Sequence, residues 1–279
     1  MQIAFCNGND KQYQAQLNRL LKPIFLDFQF WYDLDLWDSN YESYSIRQRD
    51  EIIANICVFK TQLLINEKRH RALSVGAVAT KEGHRGMGYA RRLMEHIIQK
   101  YPDTPMYLSA NEDVTEFYPR FGFQRVFEKL PTAQYALHNE TASRKLAFDD
   151  PRVKDYVYKR VNLSQRLDCL NTQSINLFHI HWGYLKDCLY EIPELDTMVI
   201  ARQNHAVLHI IGVFSLRDIS FAGLAARLPF QNISQITFGF MPYWSDASFD
   251  MQPYETDPLF VRGLSCDLGD FKFPELSVT

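Results

Sequence analysis

The segment that most constrains this chain is Arg85-Gly86-Met87-Gly88-Tyr89-Ala90. It follows a run of small and β-branched residues, 73–80, which predicts a strand. It precedes a stretch in which Ala90, Leu93, Met94, Ile97 and Ile98 recur at i, i+3, i+4, i+7 and i+8, which predicts an amphipathic helix. The segment therefore reads as a strand–loop–helix junction. Three of the 12 glycines fall between Gly83 and Gly88. The first turn of a helix leaves backbone N–H groups unpaired and carries partial positive charge. Glycines let that backbone come close to an anion. Together these features predict a main-chain cradle for a pyrophosphate. The plain alternative is a glycine loop that only starts a helix.

Other phosphate loops are excluded. No G-x-x-x-x-G-K-S/T occurs, so this is no P-loop nucleotidase. No third glycine completes G-x-G-x-x-G after Gly88, and the unit comes late, after roughly 80 residues, which disfavours a nicotinamide-binding fold. A chain of 279 residues predicts two domains. The polar, aperiodic stretch 138–148 marks the boundary, giving domains 1–140 and 150–279. The net charge of -3 offers no basic field for nucleic acid or an acidic membrane. Five cysteines without a C-x-x-C pair argue against a disulfide framework or a zinc site and fit a reducing compartment. Cys6, Cys57, Cys169, Cys188 and Cys266 read as small buried residues. No signal peptide and no run of about 18 apolar residues is evident, so the expectation is a cytoplasmic protein.

Asn9 or Asp10 caps a predicted helix whose apolar face is Tyr13, Leu17, Leu20 and Leu21. An aromatic-rich stretch, 25–37, follows. Residues 44–49 and 52–60 read as a hairpin, 105–110 as a strand, 114–121 as a short helix closed by Gly122, and 124–129 as a strand. Asp150-Pro151 then predicts an N-cap with proline at N1. Helices are expected over 153–167 and 175–189, a hairpin over 197–201 and 206–214, a helix over 222–228, and strands over 235–240 and 259–263. Residues 45–59 echo 199–214, which fits either an internal duplication or a chance hairpin match.

At this point the sequence resembles a known family. Arg85-Gly-Met-Gly-Tyr-Ala90 matches the Q/R-x-x-G-x-G/A signature of the GNAT N-acetyltransferases, and Glu116-Phe-Tyr-Pro-Arg-Phe-Gly-Phe123 is similar to that family's characteristic helix end. The resemblance implies an α/β fold with a mixed sheet, a GNAT fold followed by a second GNAT-like α/β domain. It implies that Arg85, Gly86, Met87, Gly88, Tyr89, Ala90 and Arg91 hold the pyrophosphate of acetyl-CoA, and that Val78, Ala79 and Thr80 pair with the pantetheine arm on a splayed strand. Arg91 and Arg92 could also reach the 3′-phosphate. The span 73–94 together with 117–122 looks closest to the multi-domain, enhanced intracellular survival-type subgroup, whose second domain is degenerate. The length departs from that subgroup, because its sterol-carrier-like third domain does not fit. The second half carries no Q/R-x-x-G-x-G/A, so one CoA site is expected and 150–279 should lack a CoA loop.

Residue roles follow from the same resemblance. Tyr118 falls at the general-acid position near the CoA sulfur; a packed ring is the other reading. Asn111 could bond the pantetheine, or cap the helix after it. Glu112, Asp113 and Glu116 lie near but suit a helix N-terminus as well as they suit a base. The subgroup uses the chain's terminal carboxylate, which makes Thr279 a candidate base. No metal site is expected: His179 and His181 alternate on a helix, and His205 and His209 lack a third ligand. The expected function is acetyl-CoA-dependent N-acetyl transfer to an amine of a small molecule or peptide, with a non-catalytic acyl-CoA sensor as the alternative and a tRNA-dependent aminoacyl transferase as a lesser one. Asp33, Asp35 and Asp38 beside the aromatic stretch would suit a cationic amine, or simply cover the surface. No nucleic-acid or membrane partner is expected, and a homo-oligomer is left open.

Overall fold

The computed structural model describes residues 2–8, 10–138, 144–162, 164–183, 185–255, 257–264 and 268–279. The proposed cap Asn9, the thiol Cys266 and residues 139–143 of the boundary stretch lie outside the described residues. In chain order the strands are β1 (Ile3–Cys6), β2 (Tyr41–Gln48), β3 (Glu51–Ile65), β4 (Lys68–Thr80), β5 (Met106–Ser109), β6 (Gln124–Val126), β7 (Lys129–His138), β8 (Arg144–Lys145), β9 (Leu167–Leu170), β10 (Leu189–Ile192), β11 (Thr197–Asn204), β12 (Val207–Ser215), β13 (Gln231–Phe238), β14 (Asp250–Pro253) and β15 (Leu259–Arg262). The helices are α1 (Lys11–Leu21), α2 (Gln29–Asp33), α3 (Tyr89–Lys100), α4 (Pro151–Lys159), α5 (Gln173–Trp182) and α6 (Phe221–Ala225).

The strands form two mixed sheets. The first runs β1-β2-β3-β4-β5-β15-β6, with β9 also paired to β3; the second runs β14-β7-β13-β12-β11-β10-β8. The sheets exchange strands across the sequence boundary. Strand β7, from before it, sits inside the second sheet, while β9 and β15, from after it, complete the first. Strand β9 takes the stretch of β3 from Gln62 to Ile65 that β2 leaves open.

The cap of α1 is Asp10, whose Oδ1 accepts from Tyr13 N at 3.0 Å. Its face of Tyr13, Leu17, Leu20 and Leu21 is buried as the spacing predicts. Asp150 caps α4 in the same way. Helix α4 is shorter than expected, because Arg160 leaves the helix to bond Asp168 (2.8 Å) and the Cys169 carbonyl (3.0 Å), and the chain becomes strand β9. Helix α5 stops at Gly183, where a Cβ would lie 2.6 Å from the His179 carbonyl oxygen. Strand β4 starts earlier than expected. Asn66 and Glu67 both have positive φ, 46° and 66°, the requirement of a two-residue hairpin turn that continues the twist of its strands.

In both sheets an antiparallel hairpin leads through a helix to a parallel strand. The first series is β3-β4-α3-β5 and the second is β11-β12-α6-β13. The echo noticed in sequence set β2-β3 against β11-β12, one hairpin early. One apolar cluster joins the halves, with Leu17, Trp31 and Trp37 against Val153, Ile175, Ile180 and Phe214. Much of the aromatic surplus lies here: Phe28 and Phe30 each stack on Phe178 at 5.6 Å, and Phe30 stacks on His181 at 4.2 Å.

Candidate active site

Strands β4 and β5 pair in parallel only at Leu73–Met106 and Ser74–Tyr107, then part. Beyond that point β4 keeps its other neighbour, β3, but through a bulge. Cys57 faces Gly76 and Asn55 faces Ala79, so Ala77 and Val78 together oppose Ile56. Ala77 takes φ 48°, a conformation that costs an L-residue with a Cβ about 1 kcal/mol or more. The bulge turns β4 and leaves a wedge between the two strands. Val78, Ala79 and Thr80 lie on the parting arm of β4.

The loop that leaves β4 leads straight into α3. Gly83, Gly86 and Gly88 all have φ near +78°, and nothing stands within 4 Å of where their Cβ atoms would be. Arg85, Gly86, Met87, Gly88 and Arg91 are exposed, and Tyr89 and Ala90 half-buried. Gly88 is the N-cap and no side chain caps α3. The first helical bond runs from Arg92 N to Gly88 O at 3.0 Å, which leaves the N–H groups of Tyr89, Ala90 and Arg91 without an acceptor inside the helix. This open cradle of backbone can receive a phosphate group, because charge complementarity comes from the helix end and access comes from missing side chains.

The wedge is entered from the far end of the chain. Thr279 O accepts from Ser109 N on β5 (3.2 Å), and Thr279 Oγ1 lies 2.6 Å from Ser74 Oγ on β4. Thr279 thus bridges the strands just where they part. The segment before it is held at nearly every residue. Tyr107 Oη donates to Ser277 O (3.3 Å), Asn176 Nδ2 to Leu276 O (2.6 Å), and His179 Nε2 bonds Val278 O at 2.9 Å. Burial pushes the His179 pKa below its ordinary value, so the ring is neutral and its Nε2–H is the donor to that carbonyl. Earlier still, Glu275 meets His209 at 3.1 Å and buried Lys272 meets buried Glu128 at 3.2 Å.

Tyr118 lies in the wall beside β5, 5 % exposed, with ring centroids of Phe117, Phe260 and Phe123 at 5.2, 5.4 and 6.0 Å. Burial pushes its pKa up to about 12, so it holds its proton. Its hydroxyl has no hydrogen-bond partner among the described residues. Asn111 precedes a short 3-10 turn and caps it through its backbone oxygen, not its side chain. Glu112, Asp113 and Glu116 are exposed, and Glu112 pairs with Arg125 at 3.3 Å. Among the described residues no three His, Cys, Asp or Glu side chains gather as a metal site. Asp38 accepts from Ser174 Oγ (2.8 Å) and Asp33 from Gln29 Nε2 (2.9 Å), so both acids are engaged in local structure. Sequence reasoning missed Gly76, Ser74, Asn176 and the tail-binding role of His179. Of these only Gly76, a glycine inside a strand, carried a local signal of close backbone approach.

Comparisons with known proteins agree with this geometry. Residues 15–126 match the family described as the acetyltransferase (GNAT) domain. A stretch of 62 residues, 21% of the chain, is 40% identical to the UPF0039 protein sll0451 of Synechocystis sp. and covers 40% of that protein, so the match spans less than half of that relative. In fold the chain is similar to Eis1 of Mycobacterium abscessus, with TM-score 0.57 and 14% identity over 94% of this chain and 73% of that one. It is similar to a probable N-acyltransferase of Enterococcus faecalis V583 with the same TM-score of 0.57, 14% identity and coverages of 94% and 73%. A GCN5-related N-acetyltransferase of Kribbella flavida aligns at TM-score 0.54 and 13% identity, over 93% and 70%. At such identities the likeness is one of fold, and it extends over both sheets.

The seat of Thr279 predicts a reciprocal steric pair. A Cβ on Gly76 would stand 2.9 Å from Thr279 Cβ. Gly76→Ala is expected to destabilise the protein by about 1–3 kcal/mol in urea unfolding, as overpacking does, and Thr279→Gly in the same chain should return most of that loss. Equal instability of the single and double variants would mean that the tail does not occupy the wedge.

Proposed function

We propose that this chain, whose residues 15–126 match the acetyltransferase (GNAT) domain, is an acetyl-CoA-dependent N-acetyltransferase acting on an amine of a small molecule or peptide. The observation that carries this reading is the adjacency of two seats: an uncapped helix end on a glycine loop, and the arm of β4 that β5 leaves open, leading from it into the wedge. In this reading one acetyl-CoA binds per chain, in the part spanning 1–140. The part spanning 150–279 carries no second loop and contributes the tail. Four free thiols, Cys6, Cys57, Cys169 and Cys188, support a reducing, cytoplasmic setting. No helix among the described residues is long and apolar enough to cross a membrane.

Bound acetyl-CoA supplies an acyl carbon and a thiolate leaving group. The amine nitrogen bonds to that carbon as the carbon–sulfur bond breaks. The amine must first shed a proton, and in this reading the Thr279 carboxylate, whose oxygen accepts from Ser109 N at the wedge, takes it. In this reading Tyr118 serves the other end of the step. A thiol's ordinary pKa is about 8.5, so full proton transfer from a tyrosine near 12 is uphill by roughly 5 kcal/mol. Tyr118 therefore acts by hydrogen-bonding the sulfur as charge builds on it, and solvent completes protonation of the thiolate.

Gly88→Asp is expected to abolish acetyl-CoA binding in calorimetry while the fold persists, since a carboxylate would face the pyrophosphate; unchanged affinity would discard the assignment. Wild-type protein with acetyl-CoA and a mixed amine panel should release free thiol. Tyr118→Phe should lower kcat about 100-fold with acetyl-CoA affinity nearly unchanged. Because its pKa is raised, Tyr118 keeps its proton through neutral and mildly alkaline pH, so any loss of kcat below pH 10 (about two units short of its titration) should persist in that variant. A few residues appended after Thr279 should abolish transfer and spare CoA binding. Full activity in the extended chain would reject Thr279 and return the search to Glu112, Asp113 and Glu116.

A further inference from the structure

The bulge in β4 is held by a buried polar network that the proposed chemistry has not yet used. Asn55, on β3, is fully buried. Its Oδ1 accepts from Ser43 Oγ at 2.7 Å and from Ser45 Oγ at 2.8 Å. Its Nδ2 donates to Ala77 O and to Cys57 Sγ, each at 3.1 Å. Tyr13 Oη on α1 closes the network, 2.6 Å from Ser45 Oγ and 2.9 Å from Ser43 Oγ. All four hydrogen-bonding positions of the Asn55 amide are thus occupied. The amide cannot be reversed, because a carbonyl such as Ala77 O only accepts and must face the nitrogen.

The partner of that nitrogen is the carbonyl of the one residue in β4 with a positive φ. In a trans peptide the C=O and the following N–H point in opposite directions. With Ala77 O drawn to the Asn55 side chain, the N–H of Val78 points away from that side chain. At this point β5 has already parted from β4, so β5 does not claim that N–H. Left to itself, Ala77 would gain by relaxing to negative φ, which would swing this peptide round. One buried amide, itself braced by three hydroxyls from α1 and β2, opposes that relaxation.

We propose that Asn55 is a positioning residue for acyl transfer: it fixes the Ala77–Val78 peptide so that the Val78 N–H stands ready to donate a hydrogen bond to the acyl oxygen in the wedge. The inference rests on the acetyltransferase reading above, but the orientation of the peptide is testable without it. A donor fixed beforehand needs no reorganisation as negative charge grows on the acyl oxygen, and loss of one such donor typically lowers kcat about 100- to 1,000-fold.

The test uses the full chain with Asn55→Ala, with Asn55→Ser as the milder variant should alanine fail to fold, and each combined with Ala77→Gly. The single variants should lose kcat about 100-fold, while affinity for CoA, to which the glycine loop contributes through contacts these variants do not touch, falls by less than about tenfold. Ala77→Gly removes the strain that Asn55 opposes, so it should recover about fivefold of the lost kcat, the equivalent of about 1 kcal/mol. A merely structural asparagine predicts otherwise: Ala77→Gly would add a second destabilisation and recover nothing. Amide relaxation gives the readout independent of activity. The Val78 resonance should show microsecond-to-millisecond exchange in Asn55→Ala or Asn55→Ser and none in wild type. The inference is overturned by a folded single variant with wild-type kcat, by parallel loss of CoA affinity without rescue, or by an unaltered Val78 resonance. If wild type releases no thiol with any amine, the acetyltransferase reading falls and the Val78 resonance alone decides the role of Asn55.

Discussion

The parting of β4 from β5 after two residue pairs is the constraint from which the rest of the site follows. A parallel pair normally continues, since each lost rung leaves an N–H and a C=O without a strand partner. Here the lost rungs are replaced by other groups. Ser109 N finds Thr279 O, and the arm of β4 beyond Ser74 stays open toward the glycine loop. The opening cannot close by simple sliding, because the bulge at Ala77–Val78 has already turned β4 and β15 has taken the far edge of β5. A cleft is therefore built from backbone geometry, and its lining residues decide the chemistry.

What keeps the distant tail in this cleft is a chain of buried polar contacts more than apolar area. Lys272 and Glu128 are both nearly inaccessible, and Glu128 Oε1 also accepts from Phe273 N at 2.7 Å. Burial alone would push the Glu275 carboxyl up, yet His209, Lys272 and Tyr254 outweigh it and hold the group below its ordinary value. Such pairs add little net stability over well-packed apolar residues, because desolvation offsets their attraction. Their effect is to fix register. A slip of 271–279 by one position would strand these groups, so the segment has one register.

The loop, α3 and the helix end around Tyr118 were legible in sequence because each is local. Glycine positions, 3.6-residue periodicity and a closing Gly122 act within a few residues of themselves. The strand exchange was not legible. Leu167 to Leu170 is short and polar at Asp168, and its partner Gln62 to Ile65 lies about a hundred residues away, so nothing nearby specifies the pairing. The helix expected over 153–167 failed for the same reason: the Arg160–Asp168 pair and the ladder to β3 override local helix preference. Asn55 left a trace that was open to reading. It is the lone amide in the apolar run Ile52 to Phe59, and a buried amide there must find partners.

The aromatic stretch before β2 shows how a surface reading changes once partners are placed. Rings at 28, 30 and 31 and the acids at 33 and 38 suit a cationic ligand when seen alone. In the folded chain Trp31 packs edge-on to Phe178 at 5.6 Å, Phe30 stacks on His181, and Asp38 is bonded across to Ser174 on α5. These groups clamp α2 to α5, and α5 in turn supplies Asn176 and His179 to the tail. The stretch therefore bears on the wedge indirectly: it sets where α5 stands, α5 sets where Val278 stands, and Val278 sets how Thr279 meets β4 and β5.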